Sequence, residues 1–235
     1  MSQENDSERY SRQKDIVPAD KLAACKATVV GVGAIGRQVA LQLAAIGMPW
    51  LQLIDFDVVE ISNLASQGYL ESDLGKLKVS ATAEACRRIN ASLKVEITPE
   101  RFRRSIKIGD IVFCCVDSID IRRLAWEAVK DKVCFYCDGR MSGEVIRILT
   151  VCDSRSRKYY PATLFHADEA FVGPCTARTT IYCANIAAGL IVAQFAKYLR
   201  RLPVDWDIQL NLLTNEITIA SEQTIFKPTA PVASS

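Results

Sequence analysis

The sequence predicts an α/β fold, with a Rossmann-like, mostly parallel sheet flanked by helices and an antiparallel C-terminal extension. Through the first 140 residues, short β-branched segments alternate with helix-length segments, which is typical of a parallel sheet covered on both faces. Two later strand-like stretches, 144–153 and 207–220, indicate antiparallel pairing, with Thr214-Asn215 as a hairpin turn.

The elements are justified in chain order by hydrophobic period and by their end signals. Gly47 ends the first long helix, and an acidic residue ends the strand that follows it. The predicted strands cover 27–31, 50–55, 94–98, 110–118 and 132–139 in the parallel part. The predicted helices cover 35–47, 76–91 and 119–130, and a loop over 153–174 precedes a long helix over about 177–201.

Composition limits the function classes. The 235 residues are 49% hydrophobic and 24% charged with a net charge of +2, which argues against a nucleic-acid partner. The short basic runs 101–104 and 200–201 are interpreted as solvated faces. The apolar stretch 181–198 favours a core helix over a membrane span. We expect one domain over 1–222 and a flexible tail over 223–235.

Location is inferred from the N-terminus and the thiols. The N-terminus is polar and carries no apolar signal segment, and nine cysteines without such a segment indicate reduced thiols. These two observations predict a cytoplasmic protein.

A glycine-rich loop is the first chemical motif. Gly31, Gly33 and Gly36 follow G-x-G-x-x-G between a predicted strand and a predicted helix, where glycines allow close backbone approach and the helix N-terminus attracts phosphate. Asp55 lies 24 residues after Gly31, at a strand end suited to ribose hydroxyls. This arrangement predicts a nucleotide site but does not separate NAD from ATP.

Four further stretches carry a family resemblance. They are "ERYSRQ" (8–13), "LIDFDVVEISNLASQ" (53–67), "GKLKV" (75–79) and "CCVDS" (114–118). In this order, and together with the glycine loop, they resemble the ThiF/MoeB/HesA family, on which ubiquitin-activating enzymes are built. The resemblance implies adenylation with ATP and Mg²⁺ of the C-terminal carboxylate of a ubiquitin-like or sulfur-carrier protein.

The resemblance also implies roles for individual residues. Asp55 matches the acid that holds the ribose, and Asp57 follows it. Asn63 and Lys78 match residues that contact phosphates, and Asp117 matches the aspartate near Mg²⁺. Arg12 matches an arginine that reaches into a partner's nucleotide site, which implies a homodimer or a heterodimer with a related subunit. Without the resemblance, Lys78 would be a solvated lysine and Asp117 the N-cap of the next helix.

One position departs from the family pattern. The family commonly reads "SNLNRQ", and Ser66 stands where that motif has its arginine. Arg140 is one hypothetical replacement for the lost charge. Three other interpretations stay open: a non-catalytic partner subunit of an activating-enzyme heterodimer, an NAD-dependent oxidoreductase, and adenylation of a non-protein substrate such as a cyclic tRNA modification.

The cysteines divide into three groups. Cys114 and Cys115 fall in a predicted buried strand and look like core residues. Cys134 and Cys137 form a single C-x-x-C on opposite faces of a predicted strand, so we expect no zinc. Cys175, in "GPCTART", is expected at a helix N-terminus that lowers its pKa, and it resembles the thioester cysteine of activating enzymes.

Overall fold

The computed structural model of the chain describes residues 8–164 and 179–220. Its strands are β1 (Ala27–Val30), β2 (Trp50–Ile54), β3 (Lys94–Thr98), β4 (Ile111–Cys114), β5 (Phe135–Ser142), β6 (Val145–Val151), β7 (Asp207–Asn211) and β8 (Glu216–Ile219). They form one sheet in the order β3-β2-β1-β4-β5-β6-β7-β8. The pairs from β3 to β5 are parallel and those from β5 to β8 are antiparallel, which confirms the predicted fold class.

Helices cover both faces of this sheet. They are α1 (Ala19–Ala23), α2 (Ala34–Ala45), α3 (Ile61–Gln67), α4 (Lys78–Ile89), α5 (Ile119–Val129), α6 (Ser154–Tyr159) and α7 (Ile181–Leu199). Short 3₁₀ turns cover Ser11–Gln13, Glu71–Asp73 and Tyr160–Thr163.

Alternation along the strands divides the interior into two cores, because successive strand side chains point to opposite faces. Val29 packs in the core under α2, α4 and α7, whereas Val30 packs in the core under α5. Phe113 and Phe135 meet Phe195 of α7 in the first core, with ring centroids 5.6 and 5.3 Å away.

The α7 helix is long and apolar enough to span a bilayer by length and composition, and half of its apolar window is buried inside the molecule. It packs on α2 and β5, and Cys183, Ala187, Ile191 and Phe195 are fully buried. Length and apolar composition are shared by core helices, so they are weak grounds for a membrane span.

Two predictions about the segment before α7 are wrong. The predicted loop over 153–174 begins with α6, because the Asp153 carboxylate accepts hydrogen bonds from the N–H groups of Arg155 and Ser156. The long helix begins at Ile181 rather than near 177, since Thr180 is extended. Cys175, six positions before this start in the sequence, lies outside the described residues.

Other element boundaries differ from the predicted ones by a few residues. β4 ends at Cys114, so the predicted strand over 110–118 is too long, and β5 begins at Phe135 and runs on to Ser142. The β7–β8 hairpin turns at Asn215, whose φ of 54° is left-handed, as predicted for Thr214-Asn215. The predicted tail, 223–235, lies outside the described residues.

Candidate functional site

A cleft of about 600 Å³ opens at the carboxyl ends of β1, β2 and β4. β1 pairs with β2 on one side and β4 on the other, so chain connections leave it in opposite directions. Ligands of open α/β sheets bind at this switch point. Six residues predicted from the sequence line the cleft: Gly31, Gly33, Asp55, Asp57, Lys78 and Asp117.

The glycine loop forms the floor of the cleft, and two of its glycines are required sterically. Gly31 has a φ of +84°, and a Cβ there would lie 3.0 Å from the Cys115 carbonyl oxygen. A Cβ at Gly36 would lie 1.8 Å from the Gly31 carbonyl oxygen. Gly33 precedes α2, so the N-terminus of this helix opens onto the cleft.

Asp55 holds the glycine loop against the end of β2. Its Oδ2 accepts a hydrogen bond from the Val32 N–H at 2.8 Å, and its Oδ1 accepts one from the Asp57 N–H at 2.9 Å. Burial raises the pKa of this carboxyl above its ordinary value, although both hydrogen bonds and the nearby Lys78 charge act to lower it.

Lys78 reaches the same cleft from the first turn of α4. Its Nζ lies 3.0 Å from Asp57 Oδ2, and its side chain is 8% exposed, whereas that of Asp57 is 44% exposed. Lys78 is thus a buried cation beside a cleft carboxylate and not a solvated surface lysine.

A short ribbon of backbone hydrogen bonds joins the two motifs that carry Asp57 and Lys78. The Lys78 N–H donates to the Asp57 carbonyl at 2.9 Å, and the Val59 N–H donates to the Lys76 carbonyl at 2.8 Å. Val58 and Leu77 form the antiparallel bridge between them. These bonds explain why residues 17 to 21 positions apart in the sequence lie at one place.

Tyr69 ties this ribbon to the glycine loop, a role that sequence reasoning missed. Its hydroxyl donates to the Val32 carbonyl at 2.6 Å and lies 3.1 Å from Thr82 Oγ1 in α4. The Arg37 guanidinium carbon lies 4.3 Å from the ring centroid on its face. The sequence signals this contact only through the presence of a tyrosine between the stretches 53–67 and 75–79.

Asp117 follows β4 and is exposed in the cleft. The alternative role as the N-cap of the next helix is wrong, because Ser118 occupies that position and its Oγ accepts from the Ile121 N–H at 3.4 Å. Within residues 8–164 and 179–220, no hydrogen bond or ion pair engages the Asp117 carboxylate, so it is available to a ligand.

Three of the described residues that were predicted for the site, Gly36, Asn63 and Arg12, lie outside the cleft lining. Asn63 Oδ1 accepts from the Glu60 N–H at 3.0 Å, which caps the start of α3. Arg12 is exposed in the Ser11–Gln13 turn. Ser66 donates to the Ser62 carbonyl at 2.9 Å along α3 and also stays outside the cleft lining.

The hypothesis that Arg140 replaces the missing arginine is wrong for geometric reasons. Gly139 and Met141 line the cleft, whereas the alternating position between them faces the other way. Arg140 donates to Asp138 Oδ2 at 2.9 Å and to the Thr163 carbonyl at 2.8 Å. Its charge is therefore engaged by groups that do not line the cleft.

Arg101 and Gln67 are two of the polar cleft residues that were not predicted as site residues. Arg101 is exposed, in agreement with the predicted solvated face, and it also lines the cleft with its guanidinium carbon 3.7 Å from the Phe56 ring centroid. Gln67 also lines the cleft, and its Oε1 is buried without a hydrogen-bond partner. Its position at the end of the motif "SNLASQ" is the sequence feature that could have identified it as a site residue.

The cysteines occupy different environments. Cys175 lies outside the described residues. Cys114 is buried as predicted, but Cys115 lines the cleft, where burial raises the pKa of its thiol well above the ordinary value. Cys134 is exposed and Cys137 is buried. The absence of zinc stays a prediction.

A second cavity, of about 430 Å³, lies between the loop before β4 and the end of α5. Its charged lining residues are Arg104, Lys107, Asp110 and Lys132. It has neither the glycine loop nor the Asp55 and Lys78 side chains, so the 600 Å³ cleft is the better candidate site.

Known proteins resemble this chain in sequence. The MOCS3 adenylyltransferase and sulfurtransferase of Dictyostelium discoideum is 36% identical over 135 residues, which are 53% of this chain and 32% of that protein. The molybdopterin-synthase adenylyltransferase of Haemophilus influenzae is 34% identical over 125 residues, 48% of this chain and 51% of that protein. The chain thus spans between about a third and a half of the length of these curated relatives.

Solved structures share the fold. A crystal structure of PaaA has a TM-score of 0.75 at 24% identity and covers 94% of this chain and 84% of that one. Escherichia coli MccB crystallised with ATP has a TM-score of 0.72 at 19% identity, covering 90% and 71%. The model of the ThiF family matches residues 10–227, which is most of the sequence, and this chain therefore belongs to the ThiF family.

Proposed function

We propose that this chain is an ATP-dependent adenylyltransferase that acts on the C-terminal carboxylate of a ubiquitin-like or sulfur-carrier protein. The observation that carries the proposal is the convergence of the glycine loop, Asp55, Lys78 and Asp117 on one cleft at the switch point of the sheet. The names of the MOCS3 and molybdopterin-synthase relatives support the same reaction class.

The residues of the cleft fit a nucleoside triphosphate. The α2 N-terminus opens on the cleft at Gly33, where a Cβ would meet no atom closer than 3.9 Å. The buried Gln67 Oε1 has no partner, and a nucleotide group would supply one. Mg²⁺ takes only one or two protein carboxylates besides phosphate oxygens, and Asp117 is an uncommitted carboxylate in the cleft.

The chemistry needs charge neutralisation more than proton transfer. An oxygen of the substrate carboxylate bonds to the α-phosphorus, the bond to the bridging oxygen breaks, and pyrophosphate leaves. The carboxylate is already ionised at neutral pH. Lys78 exchanges its Asp57 partner for phosphate oxygens, and the N–H groups of the glycine loop stabilise the same charge. Bound Mg²⁺ would neutralise further phosphate charge beside Asp117.

Two extensions of the reaction rest on Cys175, which lies outside the described residues, and on Arg12, which is not in the cleft lining. An acyl adenylate is activated towards thiols, and "GPCTART" offers Cys175 as the acceptor that would form a thioester and release AMP. Arg12 is exposed on the N-terminal turn, so we propose that it reaches the nucleotide site of a partner subunit in a dimer.

A non-catalytic partner subunit is the second candidate, and Ser66 is the observation that favours it. The side chain at this position adds no charge and makes a local bond within α3. An arginine-free motif would weaken phosphate neutralisation unless another cation compensates.

Calorimetric titration tests the proposal directly. Wild-type protein is expected to bind Mg-ATP and not NAD, and Lys78→Ala is expected to weaken Mg-ATP binding by about tenfold or more, because a charge-assisted bond is lost. Lys76→Ala is the matched control, since Lys76 is 40% exposed and pairs with Asp73 and Glu84 outside the cleft. Its binding should equal that of the wild type.

The catalytic step is tested by pyrophosphate–ATP exchange with candidate ubiquitin-like and sulfur-carrier proteins. Exchange that depends on the carrier's intact C-terminus is expected. NAD binding without ATP binding would instead indicate an oxidoreductase. Exchange that occurs only after a related activating-enzyme chain is added, and survives Lys78→Ala in this chain, would indicate the non-catalytic subunit.

A further inference from the structure

The cleft has a polar wall and an apolar wall. The polar wall carries the glycine loop, Asp55 and Lys78. The apolar wall is the edge of the second core: Val30, Ile54 and Phe102 are buried members of that core, and Val116 packs against it. Nucleotide sites need both kinds of surface, since phosphates require charge and a base has a flat, weakly polar face.

Arg101 and Phe56 lie together at the cleft. The Arg101 guanidinium carbon is 3.7 Å from the Phe56 ring centroid, and Phe56 is 43% exposed despite its position between two hydrogen-bonded aspartates. An exposed aromatic ring covered by a guanidinium is a stacked pair, which cation–π attraction stabilises. Both residues line the cleft.

Among the described residues, no carboxylate pairs with the Arg101 charge. The adjacent Glu100 carboxylate instead lies 4.0 Å from Arg103. Within the described part of the chain, Arg101 makes no ion pair and no hydrogen bond, so its donors and its planar group are uncommitted apart from the contact with Phe56.

The backbone directs this pair away from the phosphate-binding groups. Asp55 turns to the Val32 N–H of the glycine loop, and Asp57 turns to Lys78. Phe56, between them, turns instead to Arg101. The stacked pair therefore takes no part in the contacts that hold Asp55 and Asp57.

We propose that the Arg101–Phe56 pair is the platform on which the base of the bound nucleotide stacks. This inference rests on the proposed function and adds a determinant of base binding to it. Arg101 then contributes through its planar face and not chiefly through its charge, which separates it from Lys78.

Calorimetry with two ligands tests the platform. Mg-ATP carries a base, whereas Mg-tripolyphosphate carries only the phosphate chain, and the affinity of each is measured for wild type, Arg101→Ala, Arg101→Lys and Phe56→Leu. Arg101→Ala and Arg101→Lys are expected to weaken Mg-ATP about tenfold and leave tripolyphosphate unchanged, because base stacking is lost in both. Phe56→Leu should shift Mg-ATP binding in the same direction.

Arg103→Ala is the matched control, because Arg103 is in the same basic run, is 70% exposed and does not line the cleft. It should bind both ligands like wild type. Unchanged Mg-ATP binding in Arg101→Ala would overturn the platform, as would equal losses for both ligands or full rescue by Arg101→Lys, which would show a simple charge effect. Failure of wild type to bind Mg-ATP would overturn the proposed function itself.

Discussion

Asp55 combines three properties that oppose one another: it is ionisable, it is partly buried, and both its oxygens accept backbone hydrogen bonds. Burial disfavours its charged form, whereas the two N–H donors favour it. The net effect raises the pKa of this carboxyl. The folded protein therefore carries a cost at neutral pH in order to present a carboxylate to the cleft.

The sign of this effect predicts a pH dependence. The folded protein binds the Asp55 proton more tightly than the unfolded chain does, so the cost is present above the raised pKa and is relieved as the pH falls through it. Wild type should gain stability relative to Asp55→Asn as the pH is lowered over this range. Urea unfolding at a series of pH values measures the difference.

Asp20→Asn removes a charge at an exposed position in α1 and is the control for a general charge effect. A wild type that loses stability relative to Asp55→Asn as the pH falls would contradict the prediction. Titration of the Asp55 side-chain carbon by NMR gives the direction of the pKa shift independently.

At single positions, the sequence indicates which residues carry the chemistry better than it indicates which groups those residues contact. Asp55 and Lys78 reach the cleft as expected, because strand ends and helix starts of a parallel sheet meet at one edge. Asn63 follows a local preference instead and caps α3, since a short polar side chain competes for nearby backbone groups. Arg101 was missed because the Phe56 ring that holds it is 45 residues away.

Among the elements, α2 depends on the close approach of two glycines. A Cβ at Gly36 would lie 1.8 Å from the Gly31 carbonyl oxygen, so the helix must shift away from β1 to admit it. Gly75 has a left-handed φ of 77° but no atom within 4 Å of an added Cβ. Gly36 is therefore required for packing, whereas Gly75 is required only for its backbone conformation.

Gly36→Ala is therefore expected to lower the free energy of unfolding by about 3 kcal/mol and to abolish nucleotide binding, since overpacking displaces the loop. Gly75→Ala should cost only about 1 kcal/mol, the cost of a left-handed non-glycine residue. Chemical unfolding and Mg-ATP titration measure both effects. Equal losses in the two variants would contradict the steric explanation.

A buried charge network joins α5, β5 and the Tyr160–Thr163 turn. Asp138 is fully buried, forms ion pairs with Arg122 and Arg140, and accepts a hydrogen bond from the Tyr160 hydroxyl at 2.8 Å. Removing its charge would leave two largely buried guanidinium groups without a counter-ion.

Asp138→Asn should lower the free energy of unfolding by about 3–5 kcal/mol, because breaking a buried pair leaves an uncompensated charge. Glu84→Gln is the surface comparison, since Glu84 is 52% exposed and pairs with Arg88 and Lys76, and it should cost less than about 1 kcal/mol. Urea unfolding of both variants decides the matter. A small loss in Asp138→Asn would show that the network contributes little.

Element prediction failed where helices are short and are fixed by capping. The α3 helix was not predicted because "ISNLASQ" has no clear apolar period, and its start depends on the Glu60–Asn63 contact. The α6 helix was hidden in a predicted loop because its start depends on the Asp153 cap. The longer α2, α4 and α5 were predicted, since their periodic faces are strong enough to read without their neighbours.

At the scale of the whole molecule, the fold class was predictable because strand alternation and the change to antiparallel strands are both visible in the sequence. The dimer is not a property of one chain's elements, so Arg12 needs a separate test. If Arg12 acts on a partner's site, a variant that lacks Arg12 and a variant that lacks Lys78 can complement each other in a mixed dimer.

Mixing Arg12→Ala with Lys78→Ala protein, after subunit exchange, should restore activity to about a quarter of the wild-type level. In a mixed dimer, one site keeps its own Lys78 and receives Arg12 from the other chain. Pyrophosphate–ATP exchange with the carrier present measures the recovery. No recovery, despite mixed dimers detected by mass, would place the action of Arg12 within its own chain.

The central position of β1 also bears on how the protein is made. β1 pairs with β4 in a register that joins Ala27 to Ile111, and the cleft takes further lining from Asp117 and Gly139. While the ribosome is still synthesising the first hundred residues, the glycine loop exists but its binding site does not. A nucleotide can therefore act as a folding ligand only late in synthesis, and fragments that end before β4 receive no stabilisation from ATP.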